Sequence, residues 1–294
     1  METSKIFRTS LSIASWNIQC ISNDEGSKTH NDEFLKIVRD KDIICLQETK
    51  DAVELPNYRS YSNLRKKVKR ASGGVVTLIN NQLKNAVEIV EDSSSLSPDI
   101  LVIKLKHSYI NTVNDIFIIN TYIRPYNSKL RYTKIKGAET YEKLNTILEN
   151  LSGKGDIILC GDFNARIQES PDYIINDLSH TFVDQPTNYE PDCQLPRNSC
   201  DNNNSNAFKQ KFLDTILHNE LFLLNGRTLG DFKGEFTCIT PNGSSVVDYI
   251  AVSKSLRNKI KHLTIGDLTT ITDHRPLNLN IVCPHNRNSL IPMS

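Results

Sequence analysis

Nowhere does this chain carry the roughly 18 uninterrupted apolar residues that a membrane-crossing helix needs. Its opening, Met1-Glu2-Thr3-Ser4-Lys5, lacks the apolar core of a secretory signal. A membrane-bound or secreted protein is therefore not expected. No C-x-x-C pair exists, which removes the usual zinc-knuckle frameworks. Seven cysteines are an odd number without repeating spacing. Cys45, Cys160 and Cys283 sit inside apolar runs, where a thiol behaves as a small hydrophobe. Cys193 and Cys200 flank a polar loop and could touch, but nothing else favours a bridge. The reading is an intracellular, reducing compartment. Excess charge is also missing. A formal net charge of +1 provides no global basic field, so any affinity for nucleic acid must come from a local patch.

What the chain does have is enough apolar residue, 38% of 294, for one large core. Short β-branched runs recur at Leu11–Ala14, Asp42–Leu46, Gly74–Ile79, Ile100–Leu105, Ile116–Asn120, Ile157–Cys160, Leu221–Leu224, Val246–Val252 and Leu277–Val282. Their lengths suit buried strands. Helical spacing marks Asn31–Arg39, Tyr132–Leu151 and Ala207–His218. Runs of strands interrupted by single helices predict two packed sheets with helices outside. No repeat or linker is evident. Residues 1–284 are expected to form one domain, with the polar stretch 168–205 as a surface loop and 285–294 as a flexible tail.

Six short motifs carry the chemistry, each placed after a strand-like run. They are Ser15-Trp16-Asn17, Leu46-Gln-Glu-Thr-Lys50, Asn120-Thr-Tyr-Ile-Arg-Pro125, Gly161-Asp-Phe-Asn-Ala165, Val247-Asp-Tyr249 and Thr272-Asp-His-Arg-Pro276. Asp162 and Asn164, two apart in extended chain, point the same way. Together they suit a water nucleophile: the carboxylate accepts its proton and the amide orients it. An Asx-turn closing the strand is an equally good reading of the same residues. Glu48 is a plausible ligand for a hard cation such as Mg²⁺; an exposed capping Glu is the bland alternative. Asn17 is ambiguous by itself. In Asp273-His274 with Asp248, a carboxylate can orient an imidazole and favour its cation, which suits a phosphorane-like transition state. The run Arg65-Lys66-Lys67-Val68-Lys69-Arg70 reads as a solvated loop, a nuclear-localisation signal or a phosphate-contacting edge. Pro241-Asn242-Gly243 predicts a hairpin turn between Glu235–Thr240 and Val246–Val252.

Taken together, these motifs resemble the endonuclease/exonuclease/phosphatase superfamily, which includes exonuclease III, apurinic endonucleases, pancreatic DNase and inositol-phosphate 5-phosphatases. The resemblance spans residues 15–276 and implies a four-layer α/β/β/α sandwich with its site at the sheet edges. It further implies Glu48 as the main Mg²⁺ ligand, Mn²⁺ able to substitute, with Asn17 in the same cluster. Asp162 would activate water and Asn164 would position it. His274, paired with Asp248, would stabilise the transition state, and Asp273 would assist the metal or the imidazole.

Tyr122 stands where DNase and phosphatase members usually carry His, and so resembles the apurinic and retrotransposon branch. Ser245 stands where apurinic enzymes place an aromatic wall for the abasic sugar. The stretch from Asn225-Gly-Arg227 to Asp248-Tyr249 is similar to the endonuclease domains of LINE-type (non-LTR) retrotransposons, which nick target DNA so that the freed 3′-hydroxyl primes reverse transcription. Two departures stand out: Gln19 replaces a frequent Asp, and there is no Tyr-x-Asp-Asp reverse-transcriptase signature.

The expectation is thus a Mg²⁺-dependent nicking endonuclease on double-stranded DNA, leaving 3′-hydroxyl and 5′-phosphate ends. It would be monomeric as an isolated domain, act in the nucleus, and belong with a reverse-transcriptase domain in a full-length element protein. Arg124, Asn242, Ser245, Lys66, Lys67, Lys69 and Arg70 are the expected DNA contacts. The alternatives are an apurinic repair endonuclease and, further off, a phosphatase of the same superfamily.

Overall fold

The structure, a computed structural model, describes residues 9–23, 26–65, 73–110, 112–126, 137–175 and 192–283. Two mixed six-stranded sheets dominate it. The first runs, edge to edge, Ile260–Ile265, Leu277–Val282, Ser10–Asn17, Ile43–Gln47, Val75–Asn80 and Tyr58–Asn63. The second runs Leu221–Leu223, Asp248–Ser253, Asp156–Asp162, Ile116–Tyr122, Ile100–Leu105 and Val87–Ile89.

Strand periodicity explains the layering. Leu11, Ile13, Ile43, Cys45 and Ile79 of the first sheet share one apolar core with Ile103, Ile118, Ile158, Cys160 and Ile250 of the second. Alternate residues face outward. Ala14, Trp16, Ile44 and Leu46 pack under Phe34 and Val38 of the helix Asp32–Val38. Phe117, Ile119 and Leu159 pack under Tyr141, Leu144 and Leu148 of the helix Gly137–Leu151 and Phe212 of the helix Lys209–His218. The result is the expected four-layer α/β/β/α sandwich. Asn31 begins the first helix by accepting hydrogen bonds from Glu33 and Phe34 N–H groups. No helix among the described residues is long and apolar enough to cross a membrane.

Several boundaries differ from the sequence expectation. The strand bearing Asp162 extends through that residue, and the strand after the 241–243 turn starts at Asp248 rather than Val246. The hairpin is a separate short ribbon, Cys238–Thr240 paired with Gly243–Ser245. Its chain then changes sheets at Val246–Val247, because Tyr249 and Ala251 fit the outer core of the second sheet. All seven cysteines are free, Cys193 and Cys200 included. Lys66, Lys67, Lys69, Arg70, the start of the predicted helix at Tyr132 and the 285–294 tail lie outside the described residues.

Candidate active site

Along each inward-facing row the side chains pass from apolar to polar toward the same edge of the sandwich. Ile158 and Cys160 lead to Asp162; Ile118 and Asn120 lead to Tyr122; Ile13 and Ser15 lead to Asn17. Asp248 begins its strand instead of following one. That strand is antiparallel to its neighbour, with Asp248 opposite Asp162 in register, so its start lies where the other strand ends. His274 likewise precedes the strand Leu277–Val282. Acidic and imidazole groups from distant segments thereby reach one edge.

Asn17, fully buried, binds both halves of the site. Its Nδ2 donates to Glu48 Oε1 at 3.0 Å and to Asp162 Oδ2 at 2.8 Å. Its Oδ1 accepts the Gln19 N–H at 3.0 Å, so the amide holds the carboxylates together. Glu48 is presented by a left-handed backbone, φ 52°, immediately after its strand. Asn164 reaches Asp162 by a turn, not by extended alternation, with φ 47°. Its N–H donates to Asp162 Oδ1 at 2.9 Å, and its Nδ2 donates to Asp162 Oδ2 at 3.1 Å and to Ile123 O at 2.8 Å. The Asx-turn and the carboxylate–amide pair are one structure.

His274 Nδ1 lies 2.9 and 3.1 Å from the two Asp248 oxygens. Burial alone would lower the imidazole pKa, but the Asp248 carboxylate more than reverses this and holds it well above 6.5. Asp162, Asp248 and His274 offer ligand atoms all within 4.8 Å of one another. Burial, then repulsion from Asp248, push the Asp162 carboxyl up to about 8. Tyr122 ends the strand paired beside Asp162, and burial followed by the charges of Glu48 and Asp162 keeps its hydroxyl protonated well above its usual range. A hard cation suits this donor set of converging carboxylates, since it would relieve their mutual repulsion. Asp273 is placed through its backbone: its carbonyl accepts the Ile239 N–H at 2.8 Å and its N–H points to Gln19 Oε1 at 3.5 Å.

The outlying predicted residues are distributed unevenly. Arg124 is buried beside the site, and loss of solvent lowers its pKa. Asn242 is exposed at the hairpin tip and Ser245 is half-buried at its base. Arg65, the first residue of the basic run, is not available to phosphate. It forms a buried ion pair with Asp99 and lies over the Tyr122 ring at 5.7 Å.

Sequence reasoning missed several supports. Trp16 Nε1 donates to the His274 carbonyl at 2.8 Å, and Thr272 Oγ1 donates to the Asn17 carbonyl at 3.0 Å. Asn225 clasps the strand of Asp248, donating to Asp248 O and accepting from the Ile250 N–H. Thr237 Oγ1 accepts both the Val247 and Asp248 N–H groups at 3.1 Å. The position of the sole Trp directly before Asn17 was the one available hint.

Two acidic centres, a charged imidazole and positioning amides at the mouth of a two-sheet sandwich define a hydrolase of phosphate esters. The chain belongs to the Endonuclease/Exonuclease/phosphatase family, whose model matches residues 14–274. Comparison with curated protein sequences gave no match. Among solved structures, AP endonuclease LMAP from Leishmania major superposes with a TM-score of 0.66 at 16% identity, covering 94% of this chain and 89% of that one. The Xenopus laevis APE2 catalytic domain gives 0.62 at 18%, covering 94% of each. The endonuclease domain of TRAS1, a telomere-specific non-LTR retrotransposon, gives 0.60 at 15%, covering 93% and 99%. At these identities the likeness establishes the shared fold.

Proposed function

We propose that this enzyme is a Mg²⁺-dependent endonuclease that nicks one strand of double-stranded DNA, in the manner of non-LTR retrotransposon endonucleases. The carrying observation is the convergence of Glu48, Asn17, Asp162, Asn164, Asp248 and His274 from both sheets onto one edge. Asp162 takes the proton of the attacking water. Burial and repulsion from Asp248 raise the Asp162 carboxyl, which makes its carboxylate a stronger base. Asn164 holds that carboxylate in place and orients the water. Attack on phosphorus proceeds in line, the P–O3′ bond breaks, and a 3′-hydroxyl and 5′-phosphate result. His274, kept cationic by Asp248, stabilises charge on the phosphorane-like transition state. Mg²⁺ on Glu48, with Asn17 beside it, would supply Lewis-acid neutralisation of the phosphate, and Mn²⁺ can replace it.

Arg124, Asn242, Ser245 and the basic residues Lys66, Lys67, Lys69 and Arg70 are assigned to DNA contact. Ser245 stands at the position where the resemblance puts an aromatic wall for an abasic sugar, which favours intact DNA over lesions. A reverse-transcriptase domain in the same element protein would use the freed 3′-hydroxyl in the nucleus.

Nicking of supercoiled plasmid with Mg²⁺ tests the reading. Asp162→Ala and His274→Ala should each lose at least about a hundredfold in rate. Undiminished nicking by both variants overturns it. A strong preference for an abasic oligonucleotide would reassign the enzyme to repair, and release of inorganic phosphate from inositol phosphates would reassign it to the phosphatases.

A further inference from the structure

One level beneath the site, the inter-sheet core stops being apolar. Ser15, Gln47, Thr77 and Asn120, each at most 1% exposed, replace the isoleucines there. Gln47 Nε2 donates to Asn120 Oδ1 at 2.8 Å across the sheets, and also to Cys45 O at 3.0 Å and Ser15 Oγ at 3.2 Å. Asn120 Nδ2 crosses the other way, to Val76 O at 3.0 Å and to Leu46 O and Thr77 Oγ1 at 3.2 Å. Stability does not account for this layer. Buried amides cost free energy unless fully bonded, and Gln47 Oε1 has no partner among the described residues. Apolar residues of similar volume would pack there at no such cost.

Position in the chain suggests a different purpose. Gln47 directly precedes Glu48, and Asn120 precedes Tyr122 by two residues, in the strand paired with that of Asp162. Glu48 and Asp162 are thus carried by opposite sheets. Apolar packing between sheets is non-directional and tolerates sliding, whereas reciprocal hydrogen bonds fix both distance and register. We propose that Gln47 and Asn120 are positioning residues, a cross-sheet strut that sets the span between Glu48 and Asp162 so that a divalent cation is held and the water is aligned. The proposal rests on the endonuclease reading above.

The test uses three variants of the full chain: Gln47→Met, Asn120→Leu, and Gln47→Leu with Asn120→Leu together. Mn²⁺ affinity is measured without DNA, alongside melting temperature and single-turnover plasmid nicking. Asn120→Leu should weaken Mn²⁺ binding at least tenfold and slow nicking about a hundredfold, with KM for DNA little changed. Gln47→Met, the milder change, should show the same losses to a smaller degree. The double variant should melt above Asn120→Leu, because Gln47 no longer lacks its partner, yet recover neither Mn²⁺ affinity nor rate. Parental Mn²⁺ affinity in the double variant, or losses that simply follow melting temperature, would overturn the strut. If the parent binds Mn²⁺ but never nicks DNA, the endonuclease reading fails while the Mn²⁺ comparison still decides the strut.

Discussion

Gly161 gives the sharpest test of how the fold delivers its base. The residue sits in the middle of the second sheet, opposite Thr121 on one side and Tyr249 on the other, directly before Asp162. Its φ is +142°, and an added Cβ would stand 1.8 Å from Thr121 O and 2.8 Å from Thr121 C. Ordinary contact needs the strands to move apart by about 1.5 Å. No side chain can rotate to relieve this clash, because the obstacle is backbone. Gly161→Ala should therefore lose two or three ladder hydrogen bonds, about 1 kcal/mol each, and add backbone strain of about 1–3 kcal/mol.

A total of about 3–6 kcal/mol is a large part of ordinary domain stability and should lower the melting temperature by about 10 °C. The same displacement acts on Asp162 one residue away. A misplacement of about 1 Å costs about a hundredfold in rate, so nicking by the folded fraction should fall by that factor. Calorimetry and single-turnover nicking at a temperature well below both melting points measure the two effects separately. A variant that melts within about 2 °C of the parent and nicks at the parental rate refutes this account of Gly161.

Trp16→Phe keeps an aromatic ring against Phe34 but removes the indole N–H from the His274 carbonyl. The orphaned carbonyl and the smaller ring should cost about 2–4 kcal/mol in urea denaturation, with nicking slowed about tenfold. Asp248→Asn should reverse a pH trend. In the parent, burial opposes the His274 cation but Asp248 raises its pKa above 6.5, so the stabilisation is complete below that value and is lost as pH rises through the raised pKa. In the variant, burial dominates and the folded pKa falls below 6.5, so stability should rise between about pH 5 and 7. Melting temperatures in chelator across pH 5–9 check the sign; parallel curves for the two proteins would contradict it.

The core of the fold was legible because most of its strands are short β-branched or apolar runs, Ile100–Leu105 being apolar on both faces. Ile100–Leu105 and Leu277–Val282 were located to the residue on that signal. Three strands of the two main sheets escaped it for a physical reason. Tyr58–Asn63 and Val87–Ile89 close the edges of their sheets, and Ile260–Ile265 closes another; each is polar or half-exposed over much of its length. An edge strand needs little apolar surface and gains from polar residues that deter further pairing. Its sequence therefore resembles a loop.

At the site, residue identity was readable but geometry was not. That Asp248 lies opposite Asp162 depends on antiparallel order in the second sheet, and that His274 joins them depends on how the first sheet packs against it. No local pattern encodes either. Asp162 and Asn164 show the limit from the other side. An Asx-turn and a water-positioning pair were set against each other as alternatives, yet the turn hydrogen bond at 2.9 Å is what folds the Asn164 amide onto the carboxylate. The local preference of Asp for bonding its own backbone thus builds the site. Gln47 and Asn120 pose the same problem inside the core: each reads as a polar interruption of a strand, and its meaning depends on a partner 73 residues away. Polar residues at the ends of inward rows were recognisable as chemistry. Those one step deeper become recognisable only once the two sheets are placed face to face.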